Sequence, residues 1–368
     1  MTFSEWHDIN TYIHLEETLN YQALASSMIT FKPKQVTKKL LAALPERARD
    51  VLTKRYGLNA LNENFTLEAI GQSYGITRER VRQIENYGIA SIQKSPIYAE
   101  HADLFAELHD LINQLGGGVV AEHVLLDNLA PDESTRNHLY FILVVGDAFY
   151  KGKENPLYSH RWFTEKKVAE TVERALKNVH GTLNRDDLVS EQEILNRFRT
   201  ELIEIADKHD DQTLKRWLSI SKQIAQNPLG DWGPSDSPNV RVKGIRDYAY
   251  LAVKRHGSPM HFKEVSESIK ELFKHKAHVA TTHNELIKDA RFVLVGRGLY
   301  ALTEWGYTAG VVKDVLREIL ANDGPLSREE LIDKVRKERY VKDNTIVVNL
   351  QDSNLFKRLS NGTYTLAD

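Results

Sequence analysis

Thr66-Leu-Glu-Ala-Ile70-Gly-Gln-Ser-Tyr-Gly75-Ile-Thr77-Arg-Glu-Arg80-Val-Arg-Gln-Ile-Glu85 is the stretch that decides how this chain is read. A hydroxyl stands just ahead of each apolar-periodic run, at Thr66 and Thr77, where a side-chain oxygen satisfies backbone N–H groups that a new helix leaves without partners. Gly75 falls between the runs, where a tight inter-helix turn needs a left-handed residue. Ile70, Tyr74, Ile76, Val81 and Ile84 have the spacing that packs two short helices together, and Gly71 lets their backbones approach. The pattern predicts a helix-turn-helix and leaves Arg78, Glu79, Arg82 and Gln83 along one outward face.

That outward set has the chemistry of base reading. A side chain in the major groove tells bases apart through planar donors and acceptors, so that Arg suits guanine, Gln suits adenine and Glu accepts from cytosine. The bland alternative is a solvated face of mixed charge. Agreement among caps, turn and core positions favours the DNA-reading interpretation.

Leu44-Pro45-Glu46-Arg47, Val51-Leu52, Arg55-Tyr56-Gly57-Leu58 and Thr77-Arg-Glu-Arg-Val-Arg-Gln-Ile-Glu85 closely resemble region 4 of bacterial RNA polymerase sigma factors of the sigma-70 family, a likeness that runs from residue 31 to about residue 94. The resemblance implies a domain that recognises the upstream (−35) promoter element and docks by another surface on the flap of the polymerase beta subunit. Arg78, Glu79, Arg82 and Gln83 match the family's base-contacting positions. Thr66, Thr77 and Arg80 fall beside them as phosphate-side or structural neighbours.

The chain also departs from that family. After Glu85 it has Asn86-Tyr-Gly88-Ile-Ala-Ser91-Ile-Gln93, almost uncharged until Lys94, where the family carries several basic residues. Gly88 inside a helix costs about 1 kcal/mol relative to Ala, which predicts that the helix ends early or bends. The lead segment 1–30 is too short for the domain with which sigma factors melt promoters, so the expectation is a protein that is not a complete sigma factor.

Composition bounds the remainder. A length of 368 residues suggests two to five small domains. The absence of cysteine excludes disulfides and cysteine zinc sites and fits a reducing compartment. No apolar run approaches the roughly 18 residues needed to span a bilayer, and Met1-Thr-Phe-Ser-Glu-Trp-His-Asp8 lacks the basic start of a signal peptide. The expected location is cytoplasmic and nucleoid-associated, without membrane contact.

The net charge of −2 is unevenly divided. Residues 31–94 carry 12 Lys or Arg against 6 Asp or Glu, and residues 240–306 carry 12 against 7, whereas residues 101–239 carry 15 against 23. Phosphate attraction dominates nucleic-acid affinity, so the two basic segments are the candidates for DNA and the acidic one for spacing or protein contact.

An internal repeat organises the last third. Phe292, Gly298, Tyr300 and Leu302 recur 64 positions later as Phe356, Gly362, Tyr364 and Leu366. Each unit reads as three helices followed by a hairpin, which is a winged helix; the third helix of the first unit is expected over 282–290. Arg246-Asp-Tyr-Ala249, Gly257-Ser-Pro-Met-His-Phe262, His283-Asn-Glu-Leu-Ile287 and Phe292-Val-Leu-Val-Gly-Arg-Gly-Leu-Tyr-Ala-Leu302 resemble the HARE-HTH domain. That family includes the N-terminal domain of the polymerase delta subunit, and the final unit resembles it loosely.

The middle is less legible. Residues 97–164 pattern as another winged helix. Residues 165–239 look helical or winged-helix-like, with helices expected at 167–179, 183–188, 191–206 and 214–224. They end in a Pro- and Gly-rich break at 227–239, where Leu229 and Trp232 are available as anchors. The expected order is therefore a lead segment (1–30), a sigma region 4-like domain (31–96), those two segments, a HARE-HTH winged helix (240–306) and its repeat (307–368).

Signals of catalysis dissolve on inspection. Gly296-x-Gly298-x-x-Ala301 mimics a dinucleotide fingerprint but falls in a hairpin turn rather than between a strand and a helix. His275, His278 and His283 do not share one helical face, and no carboxylate completes a metal set. Pro131-Asp132 with Glu165-Lys-Lys167 mimics a nuclease pattern, yet both carboxylates sit at expected helix starts, where acidic groups complement the dipole. Thr282-x-x-Glu285 reads as a capping box, which makes Thr281, His283, Asn284 and Lys288 secondary candidates for DNA, with Arg297 at a wing tip.

The combined reading is a mainly α protein, a helix-turn-helix followed by tandem winged-helix modules with small β wings, that has no enzymatic activity, cofactor or metal. Its expected partners are double-stranded promoter DNA and the RNA polymerase core at the beta flap. A different class of reading is a delta-like polymerase accessory or adaptor without sequence-specific DNA binding. A third is a nucleoid or repressor protein that never meets polymerase. Oligomeric state is left open, since no heptad pattern declares itself.

Overall fold

A computed structural model of the chain describes residues 29–367 except 131, 204 and 309, so the N-terminal eight residues read above, and Pro131, lie outside the described residues. Helices dominate, with small antiparallel sheets between them. Among these residues two compact units emerge, 29–183 with 191–225, and 184–190 with 226–367.

The first unit begins with α1 (Pro33–Ala42), whose proline occupies the opening turn where a missing N–H costs nothing. After it come α2 (Glu46–Arg55), α3 (Leu67–Tyr74), α4 (Arg78–Gln93) and the single turn α5 (Pro96–Ala99). The chain continues through α6 (Ala102–Gly116), β1 (Val119–Ala121), α7 (Glu122–Leu129), α8 (Glu133–Val145), β2 (Tyr150–Gly152) and β3 (Arg161–Phe163). The strands form an antiparallel sheet in the order β1-β3-β2, with Val119 and Tyr150 both opposite Phe163.

One apolar core runs from Val36, Leu40 and Leu52 through Ile92 to Leu108, Phe141 and Trp162. It includes Gly88: a Cβ there would meet Leu52 Cδ1 at 3.0 Å. Consequently α4 does not end early, as the glycine had suggested; it runs on to Gln93 because close packing against α2 outweighs the intrinsic cost.

Beyond β3 lie α9 (Lys166–Gly181), α10 (Glu191–Leu202) and α11 (Asp211–Leu218) around Phe198 and Trp217. Trp217 Nε1 donates to the carbonyls of Gly116 (2.7 Å), an acceptor that the C-terminus of α6 leaves open, and of Val119 (3.0 Å) at the start of β1. The helix expected at 183–188 is instead a turn, in which the Asp187 carboxylate accepts from the Asn184 backbone N–H and side chain. Short polar side chains of this kind compete with helical hydrogen bonds.

The chain enters the second unit through β4 (Ile224–Gln226), and β5 (Trp232–Pro234) follows. The Pro- and Gly-rich stretch 227–239 is packed rather than loose. Asn227, Ser237 and Asn239 are buried, and Asn227 Oδ1 accepts from the N–H groups of Leu229 (2.9 Å) and Asp231 (3.0 Å).

The two repeats of this unit come next. The first comprises α12 (Ile245–His256), β6 (Met260–His261), α13 (Phe262–Phe273), α14 (Val279–Lys288), β7 (Phe292–Gly296) and β8 (Leu299–Leu302); the second α15 (Val312–Asp323), α16 (Arg328–Glu338), α17 (Asp343–Leu350), β9 (Phe356–Arg358) and β10 (Tyr364–Leu366). The 64-residue periodicity survives as geometry: Phe292 pairs with Leu302, and Phe356 with Leu366. Gly298 and Gly362 both carry the positive φ that each turn requires. Among the described residues no helix is long and apolar enough to cross a membrane.

Candidate nucleic-acid interface

Each half of the helix-turn-helix is set by its own residues. Thr66 Oγ1 accepts from Ala69 N–H at 3.1 Å and opens α3, while Thr77 Oγ1 accepts from Arg80 N–H at 3.2 Å and opens α4. Gly75 lies between them at φ 64°, ψ 33°, its N–H closing α3 onto Gly71 and Gln72. A Cβ on Gly71 would sit 2.7 Å from the Ile76 carbonyl, so only glycine lets the turn come this near. Val51, Ile70 and Val81 form a dry seam with Leu67, Tyr74, Ile76 and Ile84 around it.

With the apolar side spent on that seam, Arg78, Glu79, Arg80, Arg82 and Gln83 are all exposed on α4, as are Thr66 and Thr77 at the helix starts. Arg82 is braced: its Nε and Nη2 donate to the Glu79 carboxylate at 2.9 and 2.7 Å. That pair engages one edge of the guanidinium and leaves Nη1, with one proton of Nη2, pointing away as an end-on fork of the kind that fits guanine O6 and N7. The hydrogen bond from Arg82 holds the Glu79 carboxyl below the usual carboxylate range. Beside it Arg80 Nη1 donates to Gln83 Oε1 at 2.9 Å, so in the free protein the Gln83 acceptor is engaged.

Three features around the helix were not read from sequence. Tyr56 hydroxyl donates to Glu85 Oε1 at 2.9 Å and fastens α4 to the end of α2. Tyr74 hydroxyl bonds to Asp50, which also pairs with Lys54 at 2.8 Å, and Lys54 and Arg47 lie over the Tyr74 ring at 4.7 and 5.4 Å. Burial works to raise the Asp50 carboxyl, but the hydrogen bonds from Lys54 and Tyr74 prevail and hold it low. Finally, a cleft of about 350 Å³ flanks the exposed face, lined by Pro45, Arg47, Ala48, Arg80, Gln83, Ile84 and Tyr87. Periodicity marks which side of a helix is apolar; it does not say which distant polar groups meet.

The secondary candidates divide. Thr281, Asn284 and Lys288 share an exposed face of α14, and Arg297 is exposed in the turn between β7 and β8. His283 is half-buried and stacks on Phe262, ring centroids 4.2 Å apart, with Tyr300 edge-on at 5.9 Å. Thr282 is no cap: α14 starts earlier, at Val279, and Thr282 is a buried interior residue whose hydroxyl donates to the His278 carbonyl at 3.1 Å. Asp132 does cap α8, accepting from Thr135 N–H at 2.9 Å, and Glu165 directly precedes α9.

Capped helices, a glycine turn and a braced Arg-Glu-Gln face thus occupy one continuous stretch. Residues 40–94 match sigma-70, region 4. Over 48 residues the chain is 54% identical to RNA polymerase sigma factor RpoS of Coxiella burnetii, covering 13% of each protein. It is 32% identical over 94 residues to RNA polymerase sigma factor RpoD of Neisseria gonorrhoeae, covering 26% of this chain and 14% of the relative. RNA polymerase principal sigma factor HrdD of Streptomyces viridifaciens is 32% identical over 68 residues, 18% of this chain and 20% of the relative. The chain therefore spans a fifth or less of the length of these curated relatives, and the likeness is to one sigma module.

Proposed function

We propose that this protein is a bacterial DNA-binding transcription factor that recognises an upstream promoter element through α4 and contacts the RNA polymerase core at its beta flap during initiation. The observation that carries the reading is the exposed Arg78, Glu79, Arg82 and Gln83 face, held by two threonine caps inside a stretch that matches sigma-70 region 4. Arg82 reads guanine from its end-on edge, Gln83 reads adenine, and Thr66, Thr77 and Arg80 lie on the phosphate side. The protein acts in the cytoplasm at the nucleoid, without catalysis.

On this reading residues 240–306 are a HARE-HTH winged helix repeated over 307–368. They add backbone contacts through Thr281, Asn284, Lys288 and Arg297, while His283 supports the fold.

Gel shifts on duplexes selected from a random pool, with and without core polymerase, test the proposal. Binding is expected to be salt-dependent and sequence-selective, and Arg82→Ala to lose roughly ten- to a hundredfold in affinity for the selected site. Equal affinity for selected and random duplex, unchanged in Arg82→Ala, would leave the delta-like adaptor as the better account.

A further inference from the structure

In its own unit α8 holds the place that α4 holds in the helix-turn-helix: it follows two helices and precedes the wing. A helix that reads DNA needs an open face, and α8 has none. Asn137, His138, Leu139, Phe141, Ile142, Leu143 and Val145 are buried, and no residue from Ser134 to Val145 is exposed. Its N-terminal end, the part of a recognition helix that meets base edges, carries Asp132 and Glu133, which repel phosphate.

What covers α8 is the sigma-like module itself. Asn137 Nδ2 donates to the carbonyls of Gly57 (3.3 Å) and Asn62 (3.0 Å) in the loop between α2 and α3. Phe141 meets Tyr56 edge-on with ring centroids 5.3 Å apart, and Tyr140 lies 5.9 Å from the same ring. At the far end Gln93 Nε2, in the last turn of α4, donates to the Val145 carbonyl at 2.9 Å. The helix is therefore tied to the reading helix at one end and to the loop before α3 at the other, with α1 packed on its side.

We propose that the 102–163 unit is not a DNA reader but the mount of the helix-turn-helix: α8 docks on α1, Tyr56 and the 57–65 loop and holds α4 in a fixed attitude. Such preorganisation spares the ordering cost that a tethered, mobile reading head meets on binding. The inference does not depend on what α4 binds, and the exchange arms of its test need no DNA.

Amide hydrogen exchange on the full chain is the experiment. In the wild type, across rising denaturant, α1, the 57–65 loop and α8 are expected to lose protection together as one cooperative body. Protection of α8 persisting after α1 and the loop have opened would overturn the proposal. Asn137→Ala, which strips one buried and one part-buried carbonyl of their donor, is expected to speed exchange in the loop about tenfold; unchanged exchange there also overturns it. Photo-crosslinkers placed at Arg136 and at Gln83 add a third arm. A DNA adduct from Arg136 refutes the mount, whereas no adduct from Gln83 counts against DNA reading by α4 and leaves the exchange result to decide the mount alone.

Discussion

Two helices in equivalent positions, α4 and α8, have opposite fates. The open helix carries Arg, Glu and Gln on a face exposed to solvent, and its apolar side is a narrow seam; the covered one has no exposed residue from Ser134 to Val145 and is held by hydrogen bonds to its neighbour. The lesson is that a third-helix position does not make a reader. An open, polar outer face does, and a helix covered along its length is a packing element wherever it falls.

The sharpest way to break the contrast is at Phe141, which is fully buried in the core shared by both helices. Phe141→Ala is expected to cost about 3–5 kcal/mol. Because the core is continuous, urea unfolding should lose the helix-turn-helix and the 102–163 unit in the same transition. A variant whose residues 33–93 keep their stability while 102–163 melts would show the two to be independent and undo the comparison.

Much of α4 was legible beforehand and little of α8's role was. Caps, the Gly75 turn and the outward face depend on residues within a few positions of one another, so Thr66, Thr77, Arg78 and Gln83 fell where the local pattern put them. The grip of Asn137 on Gly57 spans 80 residues, and nothing near either one announces it. Gly88 and Thr282 misled for the same reason: a glycine reads as a weak point and a threonine as a cap until the packing partner, Leu52 in one case and the His278 carbonyl in the other, is known. Repeats escape this limit, because Phe292 and Phe356 report the same pairing twice.

Acid should sharpen the contrast, with a smaller effect. His138 is buried on α8, its Nδ1 without a partner; burial first, then the charge of Lys34, push its pKa below 6.5, against a weaker opposite pull from Asp132. The unfolded chain then binds a proton that the folded one refuses, so stability present above pH 6.5 is lost as pH falls toward the folded value. His209 is lowered in the same way, chiefly by burial, so His138→Leu should reduce the pH slope of the first unit's urea midpoint without abolishing it. A slope identical to wild type would remove His138 from the account.

The smallest expected effect lies on the open helix, at Arg80. Reading adenine uses both the oxygen and the nitrogen of a glutamine side chain, and Arg80 holds the oxygen of Gln83 in the free protein. Arg80→Ala frees that acceptor and removes one cation, and the two consequences have different readouts. Selection from a random duplex pool should show a stronger adenine preference at one position, while the salt dependence of binding should become shallower by about one charge. A shallower slope with unchanged preference would make Arg80 a phosphate contact only. A changed preference with an unchanged slope would make it a positioning residue for Gln83, acting on α4 from within the same exposed face as Glu79 acts on Arg82.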